Sequence, residues 1–239
     1  MGQLDGKVVL VSGASRGIGL AIAQTLSEEG ARLVLTARER RPLDLAAARL
    51  PTTVLAMAGD VTNPSDVKRL FAAIRKHTGR LDVLINNAGV FTFRPFRKTT
   101  LTEWRRNLET NLTSIFLMTQ SALPLLTRSH GDVVNILSIS SRVAFANCSA
   151  YTASKFGARG LTDVLRTELR MKGIRVMAVL PGMTNTRMKD EVDFPVDRRD
   201  VLRSEDVAAA VLGALVQPRR ATVEEILVMP SGGALRAEK

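Results

Sequence analysis

With 239 residues, 45% of them hydrophobic and 24% charged, the chain has an ordinary globular composition and can bury a sizeable core, which excludes a disordered or fibrous protein. No apolar run approaches the ~20 residues of a membrane span, the N-terminus lacks a signal-peptide pattern, and the single cysteine, Cys148, excludes an internal disulfide framework. The net charge of +11 invites a nucleic-acid reading, but the basic residues fall in short clusters such as Arg105-Arg106 and Arg219-Arg220, and aromatics are only 4% of the chain.

The expectation is therefore a cytoplasmic protein with neither nucleic acid nor membrane as partner. Its basic surface would suit an anionic cofactor or an acidic carrier of the substrate.

Apolar runs alternate with amphipathic stretches along the whole chain. Lys7–Ser12, Arg32–Thr36, Thr53–Ala58, Val83–Asn86, Asp132–Ser138, Arg175–Leu180 and Glu225–Met229 read as strands, rich in Val, Ile and Leu on both faces. Helices are expected over 18–29, 41–49, 64–77, 102–128, 150–172 and 204–216. Start signals stand at Thr62-Asn63-Pro64 and Ser204-Glu205-Asp206. Gly30, Gly79, Gly131 and Gly173 fall where helices hand over to strands. Strict alternation of this kind predicts an α/β fold, a doubly wound parallel sheet with helices on both faces. No linker or repeat divides the chain, so residues 1–239 read as one Rossmann-type domain, with 184–200 as a long irregular loop.

The first strand runs into Ser12-Gly13-Ala14-Ser15-Arg16-Gly17-Ile18-Gly19 and then a helix. Glycines there permit a tight turn and bring backbone N–H groups to a pyrophosphate at the positive end of the helix. The second strand ends Leu35-Thr36-Ala37-Arg38. An NAD enzyme usually has a carboxylate at this place for the ribose hydroxyls; Ala37 and Arg38 suit a 2′-phosphate instead, with Arg16 in reach, so NADP(H) is the expected cofactor. Asp60 and Val61 follow the third strand, where a carboxylate and a backbone N–H can meet adenine. Asn87, Ala88 and Gly89 end the fourth strand, where cofactor ribose would lie, and Asn86 is expected to tie strands together.

Tyr151 and Lys155 stand four apart, on one face of a helix. A free tyrosine with a pKa of roughly 10 is a poor base at neutral pH, and a nearby ammonium lowers it. Ser138, at the end of the fifth strand, can hydrogen-bond a substrate oxygen. Asn111, within the long fourth helix, can hold a water that passes protons to Lys155. No His/Cys/Asp cluster suggests a metal site.

As a set these residues resemble the short-chain dehydrogenase/reductase family over essentially the whole chain. The markers stand in the family's order: the Gly13/Gly17/Gly19 turn, Asp60, Asn86-Asn87-Ala88-Gly89, Asn111, Ser138, Tyr151, Lys155 and Pro181-Gly182. The resemblance implies strand order 3-2-1-4-5-6-7. It also implies that Ser138 orients a carbonyl, Tyr151 protonates it, Lys155 tunes Tyr151 and Asn111 completes a proton relay. Thr184 and Thr186, after Pro181-Gly182, would contact the nicotinamide carboxamide. Ser12 replaces the threonine that usually opens the glycine turn, and Ser141 the glycine that often follows the catalytic serine by three.

The expected reaction is hydride transfer between NADP(H) and a small-molecule carbonyl or secondary alcohol. Val90, Phe91, Ser140, Ala144, Phe145, Cys148, Gly182 and the 183–200 loop would border the reacting carbon, a largely apolar lining that suits a compact ketone; Arg187 and Lys189 on the loop are the exceptions.

Two other readings remain open. One is a 3-oxoacyl-(acyl-carrier-protein) reductase, favoured by the basic surface and by Lys172 beside Gly173, less so by Arg128, which Ser129 follows, and by the atypical C-terminus. The other is a non-catalytic NADP-binding regulatory protein, against which the joint presence of Asn111, Ser138, Tyr151 and Lys155 argues. The family commonly assembles as dimers or tetramers through its fourth and fifth long helices, here 102–128 and 150–172, and a homotetramer or homodimer is expected.

Overall fold

The computed structural model describes residues 2–52, 54–186 and 201–232. Seven parallel strands form one sheet in the order β3-β2-β1-β4-β5-β6-β7. They are β1 (Val8–Ser12), β2 (Arg32–Ala37), β3 (Val54–Ala58), β4 (Val83–Asn86), β5 (Asp132–Ile136), β6 (Arg175–Pro181) and β7 (Glu225–Val228). The helices are α1 (Gly17–Glu28), α2 (Arg40–Ala47), α3 (Pro64–His77), α4 (Leu101–Leu108), α5 (Ser114–Ser129), α6 (Ser149–Arg170) and α7 (Ser204–Leu215).

The continuous apolar runs follow from burial on both faces of the sheet. Alternate residues of β1 point opposite ways. Val9 and Val11 join a core with Ile22 and Leu26 of α1, Leu43 of α2 and Val207 and Val211 of α7. Val8 and Leu10 join another with Phe71 and Ile74 of α3, Met118 and Leu125 of α5 and Leu169 of α6. Each such side chain contributes about 1.5–3 kcal/mol on burial. Among the described residues, no helix is long and apolar enough to cross a membrane.

Local signals set the starts of three helices, α3, α4 and α7. Asn63 Oδ1 accepts from the N–H groups of Ser65 at 2.9 Å and Asp66 at 3.4 Å, ahead of Pro64. Thr100 and Glu103 form a reciprocal capping box at α4. At α7, Arg203 rather than Ser204 holds the cap position, and the Asp206 carboxylate accepts its N–H at 2.7 Å.

Three expectations are corrected. The helix expected over 102–128 is broken into α4 and α5 by a π turn, Glu109–Thr113, because the buried Asn111 side chain bonds the chain beyond β4, a contact that periodicity does not encode. The fifth strand ends at Ile136, two residues before Ser138. After α5 it is His130, not Gly131, that adopts the left-handed conformation, with φ 49°. Gly131 serves close approach, since a Cβ there would lie 2.4 Å from the Asp82 carbonyl oxygen.

At the N-terminal edge of the sheet, Arg175 and Asp132 form a buried bidentate pair, with Nε and Nη2 donating to the two carboxylate oxygens at 2.8 Å each. The remaining guanidinium hydrogens go to the carbonyls of Leu215, Gln217 and Ala221. Arg219 adds a second cation to Asp132.

Candidate active site

The opposite edge, at the carboxyl ends of the strands, opens into a cavity of about 690 Å³. Its centre lies at β1 and β4, where strand order reverses and the helices leave on different faces, the place where an open α/β sheet forms a crevice.

Close backbone packing shapes the end near β1. Gly13 and Gly17 have φ of +64° and +56°. The Ser12 hydroxyl accepts from the N–H groups of Asn87 at 3.0 Å and Ala88 at 3.1 Å, and donates to the Ile85 carbonyl at 3.3 Å. Serine therefore suffices where threonine was expected. Asn87 Nδ2 donates to the Ser12 and Gly13 carbonyls. A Cβ on Gly19 would sit 2.4 Å from both Asn87 Nδ2 and the Gly13 carbonyl oxygen. Gly19 thus lies behind the cavity wall, while Gly13, Ser15, Arg16, Gly17 and Ile18 line it. We expect Gly19→Val to open this turn and weaken NADPH binding at least about tenfold, read by cofactor fluorescence titration; an unchanged affinity would remove the turn from the cofactor site.

Arg16 and Arg38 both line the cavity and are exposed. Neither side chain has a hydrogen bond or ion pair with any described residue, whereas Arg40 is spent on Asp44. Asp60 and Val61 border the same end; Asp60 Oδ1 accepts from the Thr62 N–H and hydroxyl, leaving Oδ2 for another donor. Glu39 also lines this end, which the sequence reasoning missed. The glycine cradle and the two unpaired arginines fit a dinucleotide with an additional phosphate.

Across the crevice, Asn87, Ala88, Gly89, Pro181, Gly182, Thr184 and Thr186 line the cavity. The Thr184 hydroxyl turns back to the Gly182 carbonyl at 3.1 Å. Thr186 reaches over the glycine turn, its Cγ2 3.3 Å from where a Gly17 Cβ would be. Arg187, Lys189 and the rest of the loop to residue 200 lie outside the described residues. Asn86 is internal, donating to Thr119 Oγ1 and Asn135 Oδ1.

Tyr151 and Lys155 project from one face of α6. Burial pushes the Tyr151 phenol up to about 12, partly offset by a hydrogen bond with the Ser138 hydroxyl, while the Cys148 thiol adds to the rise. Burial likewise drives Lys155 down to about 8. Lys155 Nζ donates to the Ile136 carbonyl at 3.1 Å and stands 5.7 Å from the centroid of the Tyr151 ring. Ser138 is braced by Ser141, whose hydroxyl and N–H both donate to its carbonyl. Ser141 is thus a buried support and does not form the pocket wall.

Asn111 lies in the π turn with its side chain fully engaged. Its Oδ1 accepts from the Val90 N–H at 2.8 Å, and its Nδ2 donates to the Val90 carbonyl and to Ser154 Oγ, each at 2.9 Å. The Ser154 hydroxyl in turn donates to the Tyr151 carbonyl. The Asn111 amide therefore clamps the segment after β4 to α6, and it does not line the cavity. Ser154 escaped the sequence reasoning, although its place three residues after Tyr151 puts it on the same side of the helix.

The wall at the chemical end differs in part from expectation. Phe91, Ser140, Phe145, Cys148 and Gly182 line it. Val90 is held behind it by Asn111, and Ala144 is outside it. Phe93, Thr110, Ala146 and Asn147 are unanticipated members. Burial raises the Cys148 thiol to about 11, so it stays protonated at neutral pH. Among the described residues, no group of three or more His, Cys, Asp or Glu could hold a metal ion.

The family model described as short chain dehydrogenase matches residues 7–195. An uncharacterized oxidoreductase of Staphylococcus aureus is 36% identical over 232 residues, which are 96% of this chain and 100% of that protein. A metagenomic short-chain oxidoreductase crystallised in complex with NADP is 31% identical, with a TM-score of 0.84 over 96% of this chain and 99% of the other. An alcohol dehydrogenase from the archaeon Thermococcus sibiricus, complexed with 5-hydroxy-NADP, is 25% identical, with a TM-score of 0.87 over 98% of this chain and 99% of the other.

Proposed function

The chain belongs to the short-chain dehydrogenase family, and from that premise we propose that it is an NADP(H)-dependent oxidoreductase acting between a carbonyl and a secondary alcohol, with Tyr151 as acid/base. The observation that carries this reading is the convergence of Ser138, Tyr151 and Lys155 on one cavity that also holds Arg16 and Arg38, whose side chains have no partner among the described residues.

A reduced nicotinamide, when bound, supplies the hydride. Ser138 donates to the substrate carbonyl oxygen and fixes its direction. Tyr151, kept protonated by burial, gives its proton to that oxygen as the carbon accepts the hydride, so that the products are an alcohol and the oxidised cofactor. Lys155 in its charged form stabilises the phenolate left behind. Asn111 holds α6 and the segment after β4 in register, which keeps Tyr151 in place. Arg38 and Arg16 would bind the 2′-phosphate, Arg38 by its bidentate fork. The relatives solved with NADP and 5-hydroxy-NADP support this choice of cofactor.

The test compares NADPH with NADH across a panel of ketones. Hydrogen bonds to a charged group contribute about 1.5–3 kcal/mol, so Arg38→Asp is expected to weaken NADPH by roughly ten- to a hundredfold while sparing NADH. Equal loss of both cofactors would sink the phosphate assignment, and no turnover of any ketone would sink the reaction.

An acyl-carrier reductase is not favoured by the single chain. Arg128 lies in the last turn of α5 and Lys172 follows the C-terminal end of α6, at the edge of the sheet opposite the cavity. A homo-oligomer built on the outer faces of these helices suits the exposed Phe116, Phe156 and Val164.

A further inference from the structure

Aromatic rings reach the substrate end of the cavity from two separate loops. Phe91 and Phe93 come from the segment after β4, and Phe145 from the segment before α6; all three line the cavity, together with Ile139, Ala146 and Met183. The loops are fastened to each other, since the Arg94 N–H donates to the Asn147 carbonyl at 2.6 Å. Asn147 sits in the left-handed region, with φ 64°, which an asparagine tolerates better than most residues. At its base the Phe91 segment is pinned through both polar groups of Val90.

The rings form a series. Phe91 meets Tyr151 edge to face, with centroids 4.8 Å apart and planes at 79°. Phe93 stacks on Phe91 at 6.4 Å and 18°. The charged residues lining the cavity are Arg16, Arg38, Glu39 and Asp60, all at the cofactor end, and Lys155, which is turned to the Ile136 carbonyl. No other charged side chain among the described residues lines it. Among the described residues, no cation at this end would face a carboxylate or phosphate on the substrate and repay the water it sheds. A flat ring would find faces and edges at the spacing where aromatic pairs attract.

Building on the carbonyl-reductase reading, we propose that the substrate is an uncharged ketone or aldehyde with an aromatic ring beside the reacting carbon, and that Phe93 and Phe145 set this preference. Tyr151 and Ser138 hold the oxygen, and the ring extends along the phenylalanine series.

Binding alone can test this, because an alcohol cannot be oxidised by enzyme loaded with NADPH. Titration calorimetry at saturating NADPH compares 1-phenylethanol with 1-cyclohexylethanol, which differ only in the ring. The phenyl compound is expected to bind roughly three- to tenfold more tightly. Phe93→Leu and Phe145→Leu should each shrink that ratio, whereas Phe96→Leu, at a residue 80% exposed and outside the cavity, should leave it unchanged. A ratio near one, a ratio indifferent to both cavity variants, or tighter binding of mandelate, the carboxylate analogue, overturns the proposal. Turnover of acetophenone and cyclohexyl methyl ketone separates the two readings. A ring preference without turnover of either removes the reaction and keeps the ligand class, while turnover with equal affinities removes the ring preference alone.

Discussion

Replacing Tyr151 by phenylalanine should lower NADPH-dependent ketone reduction by roughly a hundred- to ten-thousandfold, the range for loss of a general acid, while NADPH affinity changes little. Phenylalanine keeps the ring that packs edge-on against Phe91 and removes only the hydroxyl that pairs with Ser138. The loss should therefore appear in kcat and not in folding or cofactor binding. Retention of a tenth or more of wild-type turnover would move the proton donor elsewhere. The pH profile carries the same logic. Burial holds Tyr151 near 12, so the donor stays protonated across the neutral range. Burial also lowers Lys155 to about 8, so the ammonium that stabilises the phenolate is present below that pH and lost above it. Reduction should accordingly be level at neutral pH and decline as pH rises through about 8. A profile flat to pH 10 would show that the charge on Lys155 is not needed.

Arg175→Met should cost about 3–5 kcal/mol of folding stability, the penalty for breaking a buried pair by removing one partner. In a chain of this size that corresponds to a fall in melting temperature on the order of 10 °C. The substitution orphans the Asp132 carboxylate on one side, and on the other the carbonyls of Leu215, Gln217 and Ala221, each of which accepts from the guanidinium. Arg219 still reaches Asp132, but it is half exposed and offers a single short contact. Because this cluster stands at the edge of the sheet away from Tyr151, the protein that remains folded should keep its kcat. Urea denaturation and turnover on the same preparation check both halves. A cost below about 1 kcal/mol would reduce the pair to the level of an ordinary surface salt bridge.

Much of the fold was legible because local chemistry and burial agree. Strands buried on both faces need apolar runs rich in Val, Ile and Leu, and such runs stand at all seven strand positions, with Val83–Asn86 and Glu225–Val228 the shortest and the latter only partly buried. Asn63 with Pro64 announced α3 for the same reason, since an N-cap acts within one turn. The Gly13-to-Gly19 turn was readable because close backbone approach admits no side chain. Tyr151 and Lys155 were readable as a pair because one helical turn separates them.

Contacts between residues distant in the chain were not legible. Periodicity drew one helix over 102–128; the π turn at Glu109–Thr113 exists because Asn111 finds Val90, 21 residues earlier, and Ser154, 43 residues later. The buried Arg175–Asp132 pair joins neighbouring strands that are 43 residues apart in the chain, and neither residue stands out in the sequence. Phe93 and Phe145 meet one cavity only because Arg94 bonds Asn147 across two loops. By itself, then, the sequence determined the alternation of elements, the glycine turn and the types of reacting groups, all governed by chemistry within a few residues. The tertiary structure decided which of those groups touch, how burial sets Tyr151 and Lys155 apart in acidity, and what shape of substrate the walls admit. Those depend on desolvation and on long-range hydrogen bonds that form only once the chain has closed around them.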